Sequence, residues 1–192
     1  MKRIVAIAIT IAALVAPAKA EPYAGLAIGA GVGQIGAQGV DIDTEGFVGS
    51  AFIGYNHAIK GVVVGIEGDV SLGGINGSIH SGAVTISSDS AWVATLRARL
   101  GMKATDALMF YITGGVAFDQ TSIDAVAGAT KLTADDIQIG WVVGAGAELY
   151  LTKTIGLRAE VRHTSFDDFN FSGISLDSQK TTALLGLVVK LN

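Results

Sequence analysis

Apolar and polar side chains alternate along the stretch WVATLRARLG, at positions 92–101. Apolar residues occupy the even positions from Trp92 to Leu100, whereas Thr95, Arg97 and Arg99 occupy odd ones. A period of two indicates a β-strand with two unlike faces. The stretch therefore predicts a strand with one apolar face and one face that carries two arginines.

The same alternation recurs along the chain in segments of about ten residues, the length that a tilted strand needs to cross a bilayer. The predicted strands are 23–33, 46–56, 61–71, 92–101, 108–119, 137–150, 155–162 and 183–191. No run after the first 20 residues approaches the roughly 20 apolar residues of a spanning helix. The pattern therefore predicts an all-β protein with eight strands.

The connections between these strands alternate between long and short. Short turns are predicted at 57–60, 102–106 and 151–153, and long polar loops at 34–45, 72–89, 120–136 and 163–178. An even number of antiparallel strands then places both termini and all the short turns at one end. This is the layout of outer-membrane barrels, which have short periplasmic turns and long extracellular loops.

The two faces of the predicted strands differ in charge. The apolar face carries no charged residue, whereas the other face holds glycines and a set of acids and bases. We interpret the latter as a lumen charge network of Glu67, Asp69, Arg97, Arg99, Glu148, Arg158, Glu160 and Arg162. A soluble eight-stranded barrel would need the opposite arrangement, with the apolar face inside.

Aromatic residues near the strand ends of the apolar face are typical of interfacial girdles. The predicted interfacial aromatics are Phe47, Tyr55, Trp92, Phe110, Phe118 and Trp141. The fold class predicted from these patterns is an eight-stranded antiparallel up-and-down transmembrane β-barrel. Its interior is just wide enough for side chains, so we expect the lumen charges to neutralise one another. An ion path or a gate built from the same charges is the alternative.

Residues 1–20 have the layout of a cleaved secretory signal peptide: two basic residues, an apolar run and an Ala-Lys-Ala site. Residues 21–192 are then the barrel domain. Removal of Lys2, Arg3 and Lys19 leaves ten basic and 17 acidic residues, a formal charge of −7, which argues against nucleic acid as a partner. The chain has no cysteine and therefore no disulfide or thiolate site.

Few residues suggest chemistry. His163-Thr164-Ser165 has the His-x-Ser spacing of lipid A deacylases, but no acid shares its face to orient the histidine. His57 and His80 are single histidines in a turn and a loop, and the glycine spacings lack the strand-to-helix context of a nucleotide site. We therefore predict no catalytic, cofactor-binding or metal-binding residue and no enzymatic activity.

Several runs, in order, resemble the opacity-like outer-membrane β-barrel domain family of Gram-negative bacteria, close to its porin-like surface antigens and haem-binding members. They are GYNHAIKGVVVGIEGDV, WVATLRARLG, FYITGGVAF, IGWVVGAGAEL and LRAEVRH. The resemblance implies a barrel in the bacterial outer membrane and covers nearly the whole chain after residue 20.

We expect a structural and surface protein with a charge-paired lumen and long extracellular loops. Its expected partners are outer-membrane lipids, including lipopolysaccharide, and an extracellular ligand or host component at the loops. A narrow or gated pore for small solutes and a haem-binding or ligand-binding surface barrel remain the alternatives.

Overall fold

A computed structural model describes residues 21–37, 40–73, 77–81, 84–127, 130–171 and 174–191, and the predicted signal peptide lies outside them. The strands are β1 (Glu21–Ala37), β2 (Val40–Ile59), β3 (Val62–Leu72), β4 (Gly77–Ser81), β5 (Val84–Lys103), β6 (Leu108–Ala127), β7 (Thr130–Tyr150), β8 (Ile155–Phe171) and β9 (Ile174–Lys190). Side chains are described at 21–34, 44–73, 92–120, 138–166 and 178–191. Within these limits, no helix is long and apolar enough to cross a membrane.

The strands form one closed antiparallel sheet. Strands that follow one another in the chain pair with each other except β3 and β4; in addition, β9 pairs with β1 and β3 pairs with β5. The short β4 pairs with the first residues of β5, so β3 and β4 occupy one position of the barrel. The predicted eight-stranded up-and-down barrel is confirmed.

The register fixes the stagger of the barrel. Starting at Glu45 and following paired residues once around the sheet leads back to β2 at Tyr55, ten residues further along. Such a stagger requires strands that are tilted relative to the barrel axis. The tilt also explains why segments of about ten residues can cross the bilayer.

The four predicted long loops are wrong as loops, because strands continue through them. β1 runs to Ala37 and β2 resumes at Val40, and β6 runs to Ala127 before β7 begins at Thr130. β4 and the start of β5 lie within 72–89, and β8 and β9 extend into 163–178. Beyond the bilayer the outward face needs no apolar residues, so the alternation ends while the backbone ladder continues.

The predicted faces are found in the structure. Along the middle of the strands the outward side chains are apolar and exposed, for example Ile28 at 75%, whereas their chain neighbours point inward. The barrel has a terminal end, which holds both termini and the three short turns, and an opposite hairpin end. The first short turn is Lys60-Gly61, where both residues have positive φ, as a two-residue type I′ hairpin requires.

Candidate functional site in the barrel lumen

All eight residues of the predicted lumen charge network lie inside the barrel. They come from four strands: Glu67 and Asp69 from β3, Arg97 and Arg99 from β5, Glu148 from β7, and Arg158, Glu160 and Arg162 from β8. No side chain among them is more than 7% exposed. Inward parity on these strands points the eight side chains into the lumen, where they meet from opposite walls of the barrel.

The eight charges form one continuous chain in which bases and acids alternate. Its order is Arg99, Glu148, Arg158, Glu67, Arg97, Glu160, Arg162 and Asp69. Six of its seven contacts join nitrogen to oxygen at 2.5 to 2.7 Å. The seventh joins Arg97 Nη2 to Glu67 Oε1. Four positive and four negative charges leave this network with a formal charge of zero.

Each carboxylate of the chain also accepts a hydrogen bond from a hydroxyl group. Tyr23 donates to Glu67 Oε2 at 2.7 Å, Tyr111 to Glu160 Oε2 at 2.6 Å and Tyr150 to Glu148 Oε2 at 3.1 Å. Asp69 accepts hydrogen bonds from three hydroxyl groups, those of Ser50, Ser71 and Thr95. These donors satisfy oxygen lone pairs that the arginines leave, which a buried carboxylate requires.

Aromatic rings complete the packing of the arginines. The Arg158 guanidinium lies 3.9 Å from the ring centre of Phe52, and that of Arg99 lies 3.8 Å from Tyr111. These distances are those of cation–π contacts. Charges and glycine were predicted for this face, but a packing role of the rings was not, although Tyr23, Phe52 and Tyr111 share the parity of the charged residues.

The inward-facing glycines make room mainly for these rings rather than for the charged side chains. A Cβ atom on Gly146 would lie 2.5 Å from the Tyr111 ring, and one on Gly54 would lie 2.5 Å from the Tyr23 hydroxyl. Each glycine is the direct cross-strand partner of that aromatic residue. The aromatic side chain therefore folds flat over the neighbouring strand, which only a residue without Cβ permits.

Some guanidinium hydrogens remain without an acceptor among the described residues. Arg99 lies 2.7 Å from Glu148 Oε1, but the alignment does not make a hydrogen bond, and Nε, Nη1 and Nη2 of Arg99 have no such partner. Nη1 of Arg158 likewise lies 2.7 Å from Glu67 Oε2 without forming a hydrogen bond. Arg99 is thus held by charge and ring contacts, whereas Arg158 also donates two hydrogen bonds to Glu148 Oε1.

Small cavities lie at both mouths of the lumen. One of about 30 Å³ lies at the terminal end, next to Asn56, Met109 and Tyr150. One of about 50 Å³ lies toward the hairpin end, next to Arg162 and Lys180. The two cavities have no lining residue in common. Each has room for a few water molecules at most.

A separate buried ion pair, which was not predicted from the sequence, lies nearer the hairpin end. Lys180 Nζ lies 2.5 Å from Asp119 Oδ2, and Asp119 is 1% exposed. One predicted strand ended at Asp119 and the last one began at 183, so Lys180 lay outside the predicted strands and was not paired with Asp119. Lys180 has the same parity in β9 as the inward-facing Val188, so extending the predicted strand toward its N-terminus would have placed Lys180 in the lumen.

The six predicted interfacial aromatics all point outward. Phe47, Trp92, Phe118 and Trp141 lie toward the hairpin end, and Tyr55 and Phe110 toward the terminal end. Trp92 Nε1 donates a hydrogen bond of 2.6 Å to Gln120 Oε1. Their membrane role stays a prediction.

The remaining candidates are separated from the lumen. His163 and Ser165 point outward from β8, and Nδ1 of His163 lies 3.0 Å from Thr181 Oγ1 rather than near an acid. His57 points outward at the opposite end, and the side chain of His80 lies outside the described residues. Within the described part of the chain, no three His, Cys, Asp or Glu residues are grouped to hold a metal ion.

Comparison with known proteins agrees with this architecture. Residues 4–183 match the outer membrane protein beta-barrel domain family. The chain is 35% identical over 140 residues to a 31 kDa outer-membrane immunogenic protein of Brucella melitensis, covering 68% of this chain and 58% of that protein. It is 31% identical over 168 residues to a 22 kDa outer membrane protein of Rhizobium leguminosarum, covering 84% and 74%.

A solved structure supports the same fold. Neisserial surface protein A superposes with a TM-score of 0.55 at 15% identity, covering 88% of this chain and 97% of that one. The family match, the two outer-membrane relatives and the closed barrel lead to one conclusion. The chain belongs to the outer membrane protein beta-barrel domain family and is a protein of the bacterial outer membrane.

Proposed function

We propose that the protein is a structural and surface-interaction barrel without catalytic activity, whose lumen is closed by paired charges. The single observation that supports this most is the unbroken alternating chain of four arginines and four carboxylates. This network occupies the middle of the lumen, and each of its eight charges has a partner of opposite sign. The relatives named as outer-membrane proteins are consistent with a role that needs no chemistry.

The energetics favour a lumen that its side chains keep closed. A charge taken out of water is stable only when a partner of opposite sign is close, and removing one partner of a buried pair costs about 3–5 kcal/mol. Opening a path through the lumen would separate several of these pairs at once. Eight strands also leave an interior that side chains can fill completely.

Conductance in planar bilayers tests this proposal. We expect the folded protein to give no sustained ion steps, whereas a variant with both Glu67→Ser and Arg97→Ser, which empties the middle of the chain, should conduct. A matched variant with Glu45→Ser on the outward face should behave as the unsubstituted protein. Sustained steps from the unsubstituted protein would contradict a closed lumen.

A gated pore is the second candidate, and one observation favours it. Glu67 is shared by Arg97 and Arg158, and Glu148 by Arg99 and Arg158, so the charges could exchange partners without ever being alone. Exchange would produce brief, voltage-dependent openings. Single-channel records that show such bursts in the unsubstituted protein, but not in Glu148→Gln, would favour a gated pore over a closed lumen.

The surface role rests on the hairpins. The hairpins β1–β2, β4–β5, β6–β7 and β8–β9 lie at the hairpin end, past the outward apolar band, and the Brucella relative is named as immunogenic. We place the hairpin end outside the cell. Because the chain has no cysteine, a membrane-impermeant maleimide on intact cells should label Ser87→Cys in β5 but not Thr152→Cys in a short turn. The reverse labelling would invert the orientation.

A further inference from the structure

A small polar patch interrupts the apolar outer face of the barrel near its hairpin end. It consists of Trp141 on β7, His163 and Ser165 on β8 and Thr181 on β9. The Trp141 and His163 rings lie 5.6 Å apart at an interplanar angle of 52°, and His163 Nδ1 lies 3.0 Å from Thr181 Oγ1. Trp141 and Ser165 are direct cross-strand partners, as are His163 and Thr181. The four side chains therefore form one contiguous surface.

The patch marks a change of polarity along β8 and β9. On its terminal side, Val161 pairs with Ala183 and both face outward, whereas at its hairpin edge Ser165 of the patch pairs with the exposed Gln179. On β3 the outward face stays apolar up to Leu72 at the end of the strand. The polar groups of the patch thus lie where the outward face passes from hydrocarbon to headgroups, on one side of the barrel.

Polar side chains at this depth need a partner. Lipid tails offer no hydrogen bonds, so an unsatisfied polar group there is costly. His163 and Ser165 are both partly exposed on the outward face, and only Nδ1 of the His163 ring is engaged by Thr181, so further polar groups of the patch remain for a ligand. A lipid headgroup is the group that reaches this position in a membrane.

The composition of the patch indicates which part of a headgroup fits. It contains no Lys, Arg, Asp or Glu, and the nearest charged residue described on the outward face is Glu45 on β2, two strands from Thr181. That separation is about 10 Å, and its charge would repel a phosphate. An exposed indole beside neutral hydrogen-bonding groups instead fits a sugar ring, which offers an apolar face and a rim of hydroxyl and amide groups.

We propose that Trp141, His163, Ser165 and Thr181 bind the sugar headgroup of the outer-leaflet glycolipid, lipopolysaccharide. The indole packs against one sugar ring, and the other three side chains exchange hydrogen bonds with its hydroxyl and amide groups. The proposal takes its leaflet from the orientation proposed above, but the binding itself does not depend on whether the lumen conducts. It assigns a lipid site to one sector of the barrel wall.

Trp141 can report on its own site. The chain has two tryptophans, so Trp92→Phe leaves Trp141 as the only indole. Folded Trp92→Phe protein in detergent micelles is titrated with diphosphoryl lipid A, monophosphoryl lipid A and phosphatidylglycerol while its emission is recorded. We expect saturable changes with both forms of lipid A, with little dependence on salt, and none with phosphatidylglycerol.

Adding His163→Ala and Thr181→Val should weaken lipid A binding about tenfold, because two hydrogen bonds of about 0.7 kcal/mol each amount to one factor of ten. His57→Ala, at the other end of the outward face, is the matched control and should leave binding unchanged. A heat-modifiable gel shift verifies that each variant is folded.

Three outcomes would overturn the proposal: equal binding of phosphatidylglycerol, binding that requires the second phosphate, or unchanged affinity in the double variant. If a substitution prevents folding, native mass spectrometry of the unsubstituted protein decides instead. Retention of lipid A over phosphatidylglycerol in an equimolar mixture is expected there, and equal retention would overturn the proposal.

Discussion

Glu67 is the acid whose removal should perturb the lumen most. Its Oε1 contacts Arg97, and its Oε2 lies 2.7 Å from both Arg158 Nη1 and the Tyr23 hydroxyl. Glu67→Gln keeps the shape of the side chain but removes its charge. The network then holds four positive charges and three negative ones in the middle of the barrel.

The expected loss of stability follows from these contacts. Arg97 keeps Glu160 and Arg158 keeps Glu148, so neither arginine is left alone. Glutamine can still accept the hydrogen bond from Tyr23, so that contact changes little. What is lost is the attraction of one buried carboxylate for two guanidinium groups, and breaking buried pairs costs about 3–5 kcal/mol. We expect Glu67→Gln to lower the free energy of unfolding by about this amount.

Reversible urea unfolding in lipid vesicles, followed by tryptophan emission and by the gel shift, measures this loss. Glu45→Gln, an acid on the outward face, is the control and should change the free energy by less than about 0.5 kcal/mol. A double-mutant cycle with Arg97→Gln should give a coupling of the sign expected for a mutual attraction. A loss below about 0.5 kcal/mol for Glu67→Gln would refute the view that the pairs stabilise the lumen.

Two further substitutions test the faces of the barrel by the same unfolding measurement. Ile28→Arg, on the outward face in mid-strand, should cost about 2–4 kcal/mol because a charge then meets lipid; Leu151→Arg in a turn should cost almost nothing, and equal effects would argue against a lipid-facing Ile28. Gly146→Ala should cost about 1–3 kcal/mol because its methyl group would displace the Tyr111 ring. Gly114→Ala, whose added Cβ would come no closer than 4.0 Å to another atom, should be tolerated.

The strands that cross the membrane could be predicted closely, because lipid imposes an apolar residue at every second position. Leu26 and Ile28 on β1 and Leu185 and Leu187 on β9 show the period directly. The hairpin end was predicted poorly for the same reason. Outside lipid the ladder of backbone hydrogen bonds continues, as in β6 up to Ala127, without any signal in hydrophobicity.

The sequence by itself determined which residues face inward, since the parity of each strand places Glu67, Arg97 and Arg158 on the polar face. It could not determine which acid meets which base. That depends on the stagger between strands and on barrel closure, which bring β3 against β5 and place Arg162 of β8 2.6 Å from Asp69 of β3 across the lumen. Parity is a local property of each strand, whereas pairing across the lumen exists only once the barrel has closed.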